Sequence, residues 1–471
     1  VATTIFGTPP ALDVTTTVHT QAQTNDDTST GGSVTGTYAF ANGDASFGSA
    51  VGHITQIAAN ASTATISGSV VGSVNSVAGN GFTKSSASNS TTTQVLDTAG
   101  NGTYSSSGTI TDKSSTNAGG VSTVTVTGAV KRGGLPSANV TSFGREGSSV
   151  TINAGLIEGS VSVTASGNDV SDKTTKTAAS QTITAFSNVT DSVTESSASS
   201  SSVTAGDASA NLLGSAKVDN SVSVFGVQSA SAKIDGAAKL GGNLSVNAVG
   251  ADSSDSFDNS YARDAKTGVV TAKFANQGAT QAALASGKAT ADVAGTVAGG
   301  VDVAASRGDA TVIVTGNVGG SVGATSEGDI TNFSIVTEYS GIAPGGNFTT
   351  PPGLPSTLLT KVTSSDSVAN IGGQGTVLVD TAPALQALGQ YGVSGSVSAS
   401  GVSGASATVT KGSKVGGFVS ANSTFTDDAN SNVTNYKAGV ATDSTSTLSS
   451  KIVGGTATVT NDGTISGASA N

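Results

Sequence analysis

The stretch that decides the fold runs from Gly295 to Val336. It reads GTVAGGVDVAASRGDATVIVT (295–315) and then GNVGGSVGATSEGDITNFSIV (316–336). Laid over each other, Gly295 falls on Gly316, Val297 on Val318, and Gly308-Asp309 on Gly328-Asp329, while Val314 corresponds to Val336 within a residue or two. The period is about 21 residues. Repetition at such a period means one structural unit stacked on a copy of itself. Valine alternating with small polar residues makes each unit a strand, and glycine marks the corner where the chain turns.

Relatives of the motif start at Gly68, Gly128, Gly159, Gly214, Gly236, Gly395 and Gly412. Many starts lie roughly 20, 60 or 80 residues apart, and gaps of about 31 and 55 read as insertions or as errors of register in placing the starts. The corner glycines Gly68, Gly128, Gly236, Gly295, Gly316 and Gly412 are therefore expected at strand ends. The pairs Val301/Val303 and Val312/Val314 are expected to face one shared interior. The fold class is all-β: a parallel β-solenoid of roughly 20-residue coils with irregular loops. Roughly 20 coils at about 4.8 Å each give a rod on the order of 100 Å. The alternative is a tandem of β-sandwich domains, which calls for a longer period of about 90–100 residues.

Composition narrows the function. The 471 residues include no Cys, Met or Trp, so no disulfide forms and no readily oxidised sulfur is present. That suits a chain exposed outside the cell after loss of a signal peptide. A net charge of −11 argues against nucleic acid and against an anionic membrane surface. No run of about 20 apolar residues exists to cross a bilayer as a helix. Aromatics are only 4% and glycines number 63, which excludes a thick core of large side chains but permits a thin core of stacked Val, Ala, Ser and Thr ladders.

Along the chain, residues 1–30 form an extended N-terminal arm, with a turn at 24–32. Residues 31–342 are the main β-repeat region. Residues 343–356 hold four of the eight prolines and read as a linker or large loop. Residues 357–392 combine strands with a short helix over 380–392, which Thr381 or Asp380 caps, Pro383 opens, and Gly389 or Gly392 ends. Residues 393–471 are a C-terminal β-repeat region. The polar runs at 85–93, 190–202 and 252–264 read as loops or as Ser/Thr faces turned to water.

Catalytic chemistry has little to stand on. His19 sits in an alternating segment and reads as a solvent-facing strand histidine, and His53 is the one other histidine. A polysaccharide-cleaving solenoid needs paired carboxylates, and the nearest cluster, Asp252, Asp255 and Asp258, reads as a solvated loop. The chain is therefore not expected to be an enzyme. Calcium is the one cofactor left open, with Asp26, Asp27, Asp427 and Asp428 as loop acids. They lack the EF-hand pattern, and the glycine motifs lack the Lys-Ser/Thr of a phosphate loop. Sequons at Asn101, Asn139, Asn188, Asn347 and Asn432 occur at a rate expected of a Ser/Thr-rich chain.

The G-x-V-x-G-x-V motif resembles the coils of secreted bacterial β-solenoid adhesins and filament-forming surface proteins, and is similar in style to the short coils of bactofilins. It covers roughly half the chain. The resemblance implies self-assembling coil logic and carries over no functional residue.

The expected function is that of a secreted structural protein. It assembles non-covalently, by strand-edge contacts with itself, into an extracellular filament or surface layer. Alternatives are a fibre-like adhesin binding a receptor or cell-surface glycan, and a polysaccharide-active solenoid enzyme. Ile5, Phe6, Leu12 and Val14 of the arm are the subunit-joining candidates, on the reasoning that Pro9-Pro10 keeps the arm from folding back into its own coil and leaves it free to add a strand to a neighbour; the alternative is a frayed terminus or an arm that caps its own solenoid end.

Overall fold

A computed structural model describes, with side chains, residues 53–58, 61–79, 120–136, 138–167, 206–251, 287–328, 372–424 and 454–467, and, as backbone only, the strands named below that lie outside these spans. The chain is a parallel β-solenoid. A complete coil lays one strand on each of three sheets. Coil 2 uses Ala61–Ile66, Ser69–Val71 and Val74–Ala78, and the next coil repeats the course with Val121–Val126, Ala129–Lys131 and Val140–Gly144. The first sheet so built has 11 strands, the narrow second sheet 7 and the third 10. Every pairing within these three ladders is parallel, as in Val121↔Ala61, Val130↔Val70 and Val140↔Val74.

Period-2 patterning produces the core. On each strand alternate residues turn inward, and the inward rows run unbroken from coil to coil. Val293 pairs with Val314, Val314 with Val379, and Val379 with Val409. The expected pairs behave accordingly: Val301, Val303, Val312 and Val314 are all buried. Full burial of such side chains contributes about 1.5–3 kcal/mol each, so a thin core of Val and Ala suffices when it is continued coil after coil.

The corner glycines occupy one place, the bend from the first sheet to the second. Gly68, Gly128, Gly236, Gly295, Gly316 and Gly412 all sit there. Val297 pairs with Val318 in the quoted stretch, and a Cβ on Gly316 would overlap the carbonyl oxygen of Gly295. At Gly128, Gly295 and Gly316 the stacked bends leave no room for a side chain, and that fixes the residue there, whereas at Gly236 a Cβ would meet nothing nearer than 3.8 Å.

Between coils stands a second architecture. Six β-hairpins leave the solenoid and join into one antiparallel sheet of 12 strands. They are Ala2–Ile5 with Val14–Ser29, Phe82–Leu96 with Gly102–Thr116, Asp169–Thr184 with Ser187–Val203, Ala251–Asn259 with Asn276–Ala285, Asn332–Ser340 with Leu359–Ser367, and Asn430–Lys437 with Val440–Leu448. After the first, each hairpin follows a pair of coils. Strand spacing explains the rhythm. A coil advances the solenoid by one strand width, about 4.8 Å, and a hairpin adds two strand widths to its sheet. One hairpin per two coils keeps the two systems in step.

This rhythm corrects several expectations. Among the described residues there are 11 coils rather than about 20, spanning about 50 Å, because the hairpins take up much of the chain between them. Val336 is not the counterpart of Val314: it lies in the hairpin strand Asn332–Ser340, and the coil resumes with Val379 opposite Val314. The segment 24–32 is no turn as far as Ser29, since Thr24–Ser29 pairs with Phe82–Ala87. The polar runs at 85–93 and 190–202 are hairpin strands, as is 252–259. Ladder partners on both sides satisfy their backbones and override weak strand propensity.

The helix is shorter than expected. α1 spans Pro383–Ala387, its N-cap is Ala382 without a side-chain cap, and Gly389 follows it at φ 68. Thr381 is buried in the coil instead, and Asp380 accepts a hydrogen bond from Thr410. α1 replaces the second-sheet strand of coil 9, whose place is kept by single bridges from Val393 to Val318 and Val415. The proposed linker at 343–356 lies outside the described residues.

Candidate functional site

The described surface is one of repetition. Along the outer face of the first sheet, serine or threonine occupies the same place in ten successive strands, from Thr63 through Thr123, Ser149 and Ser209 to Ser406 and Thr458. Neighbouring hydroxyls bond where they are close enough, as Ser149 Oγ does to Thr123 Oγ1 at 3.4 Å. Apolar steps interrupt the outer faces at Ile57–Val77–Phe143 and Ile313–Leu378.

Every hairpin after the first leaves at one corner, between the third sheet and the next first-sheet strand. Glycines flank most of these openings. Gly79, Gly167 and Gly250 stand where hairpins depart, with φ of 95, 74 and 76, and Gly120, Gly206 and Gly287 where they return. A Cβ on Gly120 would lie 2.6 Å from Gly79 Cα, and one on Gly206 2.7 Å from Gly167 N. The two limbs thus touch backbone to backbone, so the solenoid loses no ladder partner at the opening. The uninterrupted corner next door braces the neck: Arg307, 4% exposed, donates from Nη2 to Ala251 O at 3.3 Å.

The arm residues fall differently from expectation. Ala2–Ile5 pairs antiparallel with Val14–Thr17, bringing Ile5 opposite Val14. The arm is therefore the first hairpin and the edge of the hairpin sheet rather than a free strand. Pro9-Pro10 falls in sequence between the two strands and lies outside the described residues. Phe6 and Leu12 lie outside the described residues.

Of the calcium candidates, Asp26 and Asp27 lie in the strand Val14–Ser29, opposite Ser85 and Lys84, and so are not loop acids. Asp427 and Asp428 lie outside the described residues. Asp252, Asp255 and Asp258 belong to the strand Ala251–Asn259 rather than a loop, opposite Ala283, Thr280 and Gln277. No group of three or more His, Cys, Asp or Glu close enough to hold a metal occurs among the described residues. His53 accepts the Ser73 amide through Nδ1 at 3.0 Å. His19 stands opposite Thr92 in the hairpin sheet. Asn139 is engaged structurally, its Oδ1 accepting the Ser160 amide at 2.9 Å.

The ion pairs between described residues are peripheral. Lys217 and Asp219 pair at 2.7 Å on the outside of coil 5. The Asp219 hydrogen bond and then its charge hold the Lys217 ammonium above its usual pKa.

Strand edges are the remaining chemistry. The first sheet ends at Ser33–Tyr38 and Thr456–Asn461, the third at Ile54–Ala58 and Val419–Ser423, and the hairpin sheet at Ala2–Ile5 and Val440–Leu448. Among the described residues each of these six strands has one edge with no ladder partner. In the last of them on the first sheet, Val459 continues the inward row of Ala407 yet is 38% exposed. No protein-family model, no curated protein and no solved structure matches the chain.

Proposed function

We propose that the protein is a structural subunit that stacks end to end, without covalent links, into an extracellular filament or surface layer. One observation carries the reading: three long sheets rise along a common direction of stacking, and each finishes at both ends in a strand with an open edge. Open edges pair unless they are blocked. A solenoid is also complementary to itself by translation. The same Val, Ala and Gly places recur in successive coils, so the face a coil offers upward fits the face it offers downward. Strand addition by a second copy meets that geometry. The absence of Cys and Met and the acidic charge support life outside the cell.

The test is sedimentation and negative-stain microscopy of purified protein over a wide concentration range at physiological salt. Unbranched rods that lengthen with concentration, with a layer spacing of about 4.8 Å along the axis, are expected. A single monomeric species throughout would overturn the proposal.

A further inference from the structure

The first coils bury a continuous file of serines, whereas the later coils, among the described residues, bury polar side chains only at or beside their bends, at Arg307, Ser326, Thr381 and Ser413. Ser62, Ser122 and Ser148 occupy an inward row of the first sheet that continues as Ala208, Ala230 and Ala289. Ser76 and Ser142 occupy an inward row of the third sheet that continues as Val163, Val224 and Val246. All five serines are 3% exposed or less. They meet across the core and form one hydrogen-bonded file that zigzags between the two sheets. Ser62 and Ser76 share a bond of 2.7 Å, Ser122 donates to Ser76 at 2.9 Å, Ser142 to Ser122 at 2.8 Å, and Ser148 to Ser142 at 2.9 Å. At its N-terminal end Ser62 donates to Gln56 Oε1 at 3.4 Å, and Gln56 is itself 4% exposed.

Most of the remaining core is periodic, the chief exceptions being α1 in coil 9 and the buried Arg307, and periodicity leaves register open. Rows of Val and Ala accept almost any coil on any other, and small-residue strands specify pairing weakly. The hairpin rhythm rejects a slip of one coil, because the hairpins would fall out of phase. It accepts a slip of two coils, which brings hairpin onto hairpin. Only an element that does not repeat can forbid that second slip. The serine file is such an element: moved against coils 5–10, its hydroxyls would face alanine and valine and lose their partners while still buried.

We infer that the buried serine file is a register key. It fixes the order of the first four coils and rejects their pairing with later coils, of the same chain or of a second copy. It works as a single buried Asn does in setting coiled-coil register.

Two experiments test this, and neither depends on filament formation. The first refolds S62A/S76A/S122A/S142A/S148A from denaturant and follows hydrogen exchange by mass spectrometry in 61–78 and 121–152. The parent is expected to give one exchange population, and the variant two or more, with the minor species at least tenfold more abundant than in the parent. A single population with the parent's pattern overturns the proposal. The second holds even where that variant does not fold. V163S places a hydroxyl beside Ser142, at the growing end of the file. V303S makes the same change in the same row between Val246 and Ala324. V303S is expected to shift the unfolding equilibrium at least tenfold more than V163S. Equal shifts overturn the proposal.

Discussion

Deleting one coil should harm this protein more than deleting two coils with their hairpin. Removal of 207–228 excises coil 5 and joins Gly206 to Ser229. The solenoid heals, because Ala230, Ala232 and Ile234 then stack on Ser148, Val150 and Ile152, the places vacated by Ala208, Ala210 and Leu212. The hairpin sheet cannot heal. Ser187–Val203 and Ala251–Asn259 would attach to the same coil and compete for one strand width. The ladder between them, seven pairs from Ser196↔Asn259 to Ser202↔Ser253, is lost. At about 0.5–1.5 kcal/mol per net hydrogen bond, that is about 4–10 kcal/mol of local stability. Hydrogen exchange in these segments should then rise by on the order of a thousandfold or more, and protease should cut there first. Removal of 207–287 joins Gly206 to Lys288 and takes out two coils and one hairpin together. Both systems stay in step, so exchange in 187–203 should remain near the parent's. A single-coil deletion as protected as the parent, or a two-coil deletion as exposed as the single, would refute the argument from strand spacing.

Other substitutions report on separate parts. Gly316→Val drives a side chain into the Gly295 carbonyl and should cost about 1–3 kcal/mol, read as a lowered chemical-unfolding midpoint. Val303→Ala empties a fully buried place in the third-sheet row and should cost about 2 kcal/mol, from two methyl groups and a small cavity. Lys217→Gln removes the ammonium that Asp219 holds above its usual pKa. Because that pKa is raised, the pair's contribution is present at neutral pH and is lost only as pH climbs through the raised value. The pair is open to solvent, so the variant's melting temperature should match the parent's at pH 7.

The coil was legible in the sequence because its constraints are local and repeated. Gly295 and Gly316 are forced by one bend stacked on another, and Val301 and Val303 by alternation across a thin core. The hairpin sheet was not legible as a sheet. Its strands, such as Phe82–Leu96 and Ser187–Val203, are rich in Ser and Thr, and their order comes from partners far along the chain rather than from their own pattern. A signal was present all the same. Gly79 and Gly120, Gly167 and Gly206, and Gly250 and Gly287 bracket insertions of about 40 residues, and those brackets account for the starts spaced roughly 60 and 80 residues apart. Starts about 20 residues apart are neighbouring coils, those about 60 apart straddle a hairpin, and the longer spacing is the sum of the two.

The serine file was invisible for a different reason. In a chain this rich in serine nothing local separates Ser62, Ser76 and Ser122 from the serines that face water, such as those of the outer row. Burial depends on strand phase, and the meeting of Ser62 with Ser76 depends on the turn through the second sheet between them. Repetition made the fold readable, and the same repetition left the order of the coils undetermined. The residues that break the repeat therefore carry the most information about how this chain selects one stacking among many.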